Sequence, residues 1–176
     1  MPDRGPIELT DLEGADRDRA VPVVIDSFVG IYRWHAKRTL RDVGRVRAAF
    51  VAGEVAGVAM LERLAPEVGY VYYLAVRRAF RRQGIGARLL DDALDGFRAG
   101  SVRVVYAAAE QENTGSIALF LSRGFRTVER RETGYRDGGL GAWGLRSRMW
   151  IVSGEVLLGL RLAPEPAPTG PRETGR

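Results

Sequence analysis

VYYLAVRRAFRRQGIGARLL, Val71 to Leu90, passes from an apolar segment through a cluster of arginines and two glycines into an amphipathic run. It reads as a strand, a loop and the start of a helix. An anion at a helix N-terminus meets unpaired backbone N–H groups and the positive end of the helix dipole. Gly84 and Gly86 let an oxyanion approach the main chain closely, and Arg81 and Arg82 add fork-shaped donors that fit phosphate oxygens. A pyrophosphate fits this junction better than a carboxylate. It is not a Walker loop, which needs Lys then Ser/Thr where Ala87-Arg88 stand. Nor is it a dinucleotide fingerprint, which needs a small residue at Leu89.

Working outward, VGYVYYLAV (68–76) is apolar on both alternating faces, as in a central strand covered on each side. The helix opening at Gly84 carries Ile85, Leu89, Leu90, Ala93, Leu94 and Phe97 as one stripe, with Arg88, Asp91, Asp92 and Asp95 opposite. Upstream, IELTDL (7–12) alternates as a strand. A helical pattern from Asp18, with Pro22 in its first turn and Gly44 as terminator, is split at Gly30. Residues 45–64 predict a hairpin turning at Ala52-Gly53. Downstream, VRVVYAAA (102–109) is a buried strand, and NTGSIALFLSRG a short helix capped by Asn113 or Thr114 and stopped by Gly124. FRTVERRET (125–133) is a strand, and LRSRMWIV and EVLLGLRL flank Ser153-Gly154 as a final hairpin. Its apolar edge invites a second copy of the chain as a homodimer partner. The order predicts an α/β chain with a parallel pair inside a mixed sheet, one domain over 1–162, and a disordered Pro-rich tail over 163–176.

Composition bounds the function. With no cysteine and a single histidine, His35, the chain lacks disulfides, thiolate chemistry and the usual ligands of a metal site; no metal is expected. No apolar run reaches the ~18 residues of a membrane span, and the first residues lack a signal-peptide pattern, so a cytoplasmic protein is expected. The net charge of +5, nearly all arginine, fits a phosphorylated ligand. Nucleic acid would rest on the isoelectric point alone.

The segment LAVRRAFRRQGIGARLL, with RRQGIG (81–86) at its centre, resembles the acetyl-CoA-binding core of the GNAT superfamily of N-acetyltransferases, and ENTGSIALFLSRGF (112–125) resembles the second half of that core. The resemblance is specific over Gly69–Phe125. It implies a central, mostly antiparallel sheet of about seven strands with a splayed parallel pair and helices on both faces. It implies acetyl-CoA as co-substrate, with the pantetheine arm lying between the splayed strands like an added strand. On this reading Leu74, Ala75 and Val76 face the arm, the first of them in a bulge, and the Val76 N–H donates to the thioester carbonyl. Arg81, Arg82, Gln83, Gly84, Ile85, Gly86 and Ala87 hold the pyrophosphate. Asn113 touches the arm from the other side and Phe120 borders it.

The implied reaction is direct attack of a neutral amine, from a peptide N-terminus or a small molecule, on the thioester. Two residues depart from the family pattern. Phe120 stands where a tyrosine acid is usual, and Tyr70 where a glutamate base is common. The candidate base is Glu110, with Glu67 as alternative; the candidate acids are Tyr135, in a loop resembling the tyrosine-bearing hairpin of N-terminal acetylating relatives, and Ser122. His35 reads as an exposed helix residue. Tyr70, Tyr72 and Tyr73 are core or acceptor-pocket residues. A non-catalytic CoA-binding sensor of the same fold is the competing expectation, favoured by Phe120 and Tyr70.

Overall fold

A computed structural model describes residues 5–129 and 148–162. Seven strands form one sheet: β1 (Glu8–Asp11), β2 (Arg45–Val51), β3 (Glu54–Ala65), β4 (Val68–Val76), β5 (Val104–Glu110), β6 (Arg126–Thr127) and β7 (Glu155–Arg161). Their spatial order is β1-β2-β3-β4-β5-β7-β6. Every pairing is antiparallel except β4 with β5. Helices α1 (Val21–Ser27) and α2 (Gly30–Asp42) cover one face; α3 (Ile85–Ala99) and α4 (Thr114–Leu121) cover the other.

Local sequence explains these elements. Gly30, at φ +53°, opens α2 with a backbone bend that separates it from α1. Ala52 and Gly53 both have positive φ, as a tight hairpin turn with the sheet's twist requires. Arg17 closes α2: its guanidinium donates to the carbonyls of Arg41 at 2.9 Å and Val43 at 2.8 Å, groups a helix C-terminus leaves unpaired. Arg47 on β2 grips Asp92 on α3 through two bonds of 2.8 and 2.9 Å, fixing α3 to its face of the sheet.

The α3 stripe packs on Ala59, Leu61, Val71, Val105 and Leu158, whereas Val23, Val24, Ala36 and Leu40 pack on Val46, Ala48, Val58 and Met60 on the opposite face. The two layers explain why β4 is apolar throughout. Gly69 lies directly beneath Phe97, where a Cβ would come within 2.8 Å of the ring. Gly69→Ala is therefore expected to destabilise the fold by about 1–3 kcal/mol, read by urea unfolding. Phe97→Leu in the same chain should recover part of that loss.

Two expectations are corrected. The final hairpin does not form: residues 148–152 are not a strand, and β7 pairs instead with β5 on one side and β6 on the other. The apolar hairpin edge that was to invite a second copy is accordingly missing among the described residues. The strand expected over 125–133 is observed only as Arg126–Thr127; residues 130–133, like the 163–176 tail, lie outside the described residues.

Candidate active site

β4 and β5 run together only from Val68/Val104 to Val71/Ala107. Beyond that point β4 stays on β3 as far as Val76, and β5 stays on β7 as far as Glu110. The inner edges Tyr72–Val76 and Ala108–Glu110 therefore border a wedge with no ladder between them. The Arg77 N–H bonds Ala56 O on the β3 side at 2.9 Å; strand alternation then aims the N–H groups of Leu74 and Val76 into the wedge. A bulge re-aims side chains here. Tyr73 pairs with Met60 and Val71 with Leu61, leaving Tyr72 extra, so that Tyr72 and Tyr73 both contact the α2 side. The bulge lies two residues before Leu74, where the family resemblance put it.

At the outer end of the wedge the loop into α3 is open. Gly84 adopts φ +77° and a Cβ there would have nothing within 4 Å. The first helical bond is from Arg88 N–H to Gly84 O. Among the described residues no hydrogen bond engages the N–H groups from Arg82 to Ala87. Arg81, exposed at this loop, donates its Nε to Val76 O at 3.0 Å. Ile85 contributes only backbone here, its side chain being in the core. Gln83 Nε2 donates to Ala79 O at 3.4 Å.

The cleft itself encloses about 840 Å³, part of it open solvent. Leu74, Asn113, Ser116 and Phe120 line one part, and Tyr32, Tyr72, Tyr73, Glu110, Trp150 and Glu155 another. Asn113 caps α4, its Oδ1 accepting from Ser116 N–H at 3.1 Å, which fixes its position but occupies that oxygen. Phe120 is buried edge-on against Phe125.

On the α2 side, Glu110 and Glu155 stand directly opposite each other on β5 and β7. Tyr32 donates to Glu155 Oε1 at 3.2 Å, and Glu155 Oε2 accepts the Val152 N–H at 2.8 Å. Burial first, then Glu155 and Glu110, push the Tyr32 phenol well above its ordinary value, so it stays protonated as a donor. Trp150 stacks on His35 with ring centres 3.8 Å apart and meets Tyr32 edge-on at 5.5 Å. Ser27 Oγ, on the cleft wall, is buried with no hydrogen-bond partner among the described residues.

Of the sequence candidates, Glu110 is in the cleft and Tyr135 lies outside the described residues. Glu67 is at the far end of β4, 3.6 Å from Arg103; Ser122 bonds Leu119 O at 2.6 Å and does not line the cleft. His35 is half-buried, not exposed, and Tyr70 is core at 1% exposure. Sequence reasoning missed Ser27, Tyr32, Trp150 and Glu155. Only Glu155, an acid opening an apolar strand, carried any signal.

The chain belongs to the Acetyltransferase (GNAT) family, whose sequence model matches residues 13–125. An uncharacterised protein of Mycobacterium leprae is 29% identical over 151 residues, 82% of this chain; the chain spans 41% of that relative's length. The ribosomal-protein-S18-alanine N-acetyltransferase of Escherichia coli superposes with a TM-score of 0.68 at 18% identity, covering 93% of this chain and 98% of its own. A GNAT family acetyltransferase of Elizabethkingia anophelis, solved with acetyl-CoA bound, gives 0.66 at 18% identity over 91% and 99%. The splayed, mostly antiparallel seven-stranded sheet is the fold these structures share with it.

Proposed function

We propose that the chain is an acetyl-CoA-dependent N-acetyltransferase that moves the acetyl group to a primary amine within a ternary complex. One observation carries this reading: the wedge between β4 and β5, with free strand edges, leads directly to the bare amides of residues 82–87. A diphosphate fits those amides and the adjacent Arg82, and an extended amide-bearing arm fits the strand edges. The Gly84 position has room for it, and the orphaned Ser27 Oγ is a polar atom that a ligand would satisfy.

Bound acetyl-CoA supplies the activated acyl group. The Val76 N–H is the donor for its carbonyl oxygen as charge develops there. Glu110 is the base that takes a proton from the incoming ammonium, and Glu155, held by Tyr32 and the Val152 N–H, adds negative charge that draws the cation in. Tyr32, Tyr72 and Trp150 form aromatic walls suited to a cationic amine. Val29, exposed on the cleft wall, suits an amine carried on an apolar or peptide chain.

Acetyl-CoA is expected to raise the melting temperature, and free coenzyme A should be released when phenethylamine or short peptides with free N-termini are supplied. No stabilisation by millimolar acetyl-CoA would refute the reading. Phe120, which has no proton to give, supports a second reading as a CoA-binding sensor. Stabilisation without thiol release from any amine would establish that one instead.

A further inference from the structure

The leaving thiolate and the acceptor ammonium set a proton balance. R–NH3+ and CH3CO–S–CoA give R–NH–COCH3, HS–CoA and one H+. The C–S bond breaks, the N–C bond forms, one amine proton goes to sulfur and a second must leave the cleft. Among the described residues, a hydrogen bond connects a side chain of the cleft to a separate opening. Tyr73 borders the cleft, and its hydroxyl lies 2.8 Å from His35 Nδ1. The His35 ring also borders a second depression, lined by Arg38, Thr39, Asp42, Val43, Glu62 and Tyr72.

We propose that Tyr73 and His35 form a proton relay that carries the proton released in acetyl transfer from the cleft to solvent in the depression beside α2. This rests on the acetyltransferase reading. The Tyr73 oxygen takes, by way of cleft water, the proton that Glu110 accepted from the ammonium, as its own O–H proton passes to His35 Nδ1. The imidazolium then loses its Nε2 proton to water in the depression. The hydroxyl turns and the ring exchanges protons with solvent to reset the pair.

Electrostatics and geometry both fit this role. Burial, together with the charge of Arg38, lowers the His35 pKa below its ordinary value, so at neutral pH the ring is an acceptor. Burial, then Glu155, Tyr32 and Tyr72, raises that of Tyr73; the phenol therefore passes a proton in one concerted step and does not dwell as phenolate. Tyr73 lines the same cleft as Glu110 and Glu155, and Glu155 and Tyr32 act on it electrostatically. The ring is also held in a fixed orientation, since Trp150 stacks on it and Thr39 Oγ1 is 3.3 Å from Nδ1. His35 Nε2 has no protein hydrogen bond among the described residues. The charged and titratable groups around the ring are Arg38 and Asp42 from α2, Glu62 from β3, Tyr72 and Tyr73 from β4, and Arg148, whose carbonyl accepts from Tyr72.

The test follows thiol release from acetyl-CoA with phenethylamine as probe, and with water as acceptor should phenethylamine not react, since hydrolysis also frees one proton per thiol. Tyr73→Phe keeps the ring packed on Phe28, and His35→Ala leaves a space for imidazole. Each should lower kcat by roughly 10–100-fold with the acetyl-CoA KM unchanged. The double variant should lose no more than either single. Millimolar imidazole should restore His35→Ala but not Tyr73→Phe. The acid limb of the wild-type kcat profile should match the titration midpoint of the single histidine resonance, and should vanish in Tyr73→Phe. Wild-type kcat and pH profile in His35→Ala, or additive losses without imidazole rescue, would overturn the relay alone. Absence of wild-type turnover despite binding would remove it along with the enzyme reading. Absence of stabilisation by acetyl-CoA would remove the cofactor site as well.

Discussion

Gly84→Asp is expected to abolish the stabilisation by acetyl-CoA while changing the stability of the unliganded protein little. Position 84 has φ +77° and open space at its Cβ. Asp and Asn tolerate this left-handed backbone better than other side chains, so Gly84→Asn carries comparable strain without the charge. A carboxylate here faces the same N-terminal dipole that the diphosphate would use. It favours α3 by about 0.3–1 kcal/mol and repels the ligand by up to about 4 kcal/mol at contact distance in a surface environment. The expected result is a loss of at least about 100-fold in acetyl-CoA affinity for Asp and less than about tenfold for Asn, measured by calorimetry beside apo melting curves. The loss that depends on charge and not on strain makes the Asp and Asn pair diagnostic. Equal losses for Asp and Asn would assign the effect to backbone strain, and undiminished binding by Gly84→Asp would move the diphosphate elsewhere.

The fold was readable where one local requirement dictated the residue type. A strand buried on both faces needs apolar residues at every position, which VGYVYYLAV supplies. A helix start that must leave its amides bare needs glycine, as at Gly84. The tight β2–β3 turn needs positive φ, adopted at Ala52 and Gly53. The sequence misled where pattern alone had no competitor in view. Residues 145–152 look as much like a strand as 155–161 do, but both edges of β7 are taken by β5 and β6. Met149 is instead buried beside Leu64 and Tyr70, and Trp150 covers His35.

The site divides the same way. Its proposed cofactor half sits in one continuous segment, Leu74–Ala87, where the chemistry would be carried by backbone and by missing side chains. Its proposed acceptor half gathers Ser27 and Tyr32 from the α1–α2 region, Glu110 from β5, and Trp150 and Glu155 from the segment entering β7. No spacing rule links those residues, because only the β5–β7 register and the docking of α2 bring them together. Tyr72 and Tyr73 share a face because of a one-residue bulge, which an alternating pattern cannot reveal.

Glu110→Gln is the substitution expected to cost most in turnover while sparing binding. Glu110 and Glu155 face each other across one strand pair, but their surroundings differ. Glu155 accepts from Tyr32 and from the Val152 N–H, so both its oxygens are engaged. Glu110 stands at the end of the unpaired β5 edge, where an amine entering between the aromatic walls would reach it. Replacing it with Gln keeps size and removes the base; kcat should fall by about 10²–10⁴-fold, with the acetyl-CoA-induced melting shift intact. Glu155→Gln can still accept through its amide oxygen. It should mainly raise the KM for the amine, by about tenfold, through the loss of one attractive charge worth roughly 1–2 kcal/mol in a partly buried site. Because the two carboxylates act on one ammonium, the double variant should fall short of the product of the singles. A collapse of kcat in Glu155→Gln with Glu110→Gln unharmed would exchange their roles. Full turnover in both would take the proton-accepting function away from this carboxylate pair and leave the amine to be deprotonated by solvent before it enters the cleft.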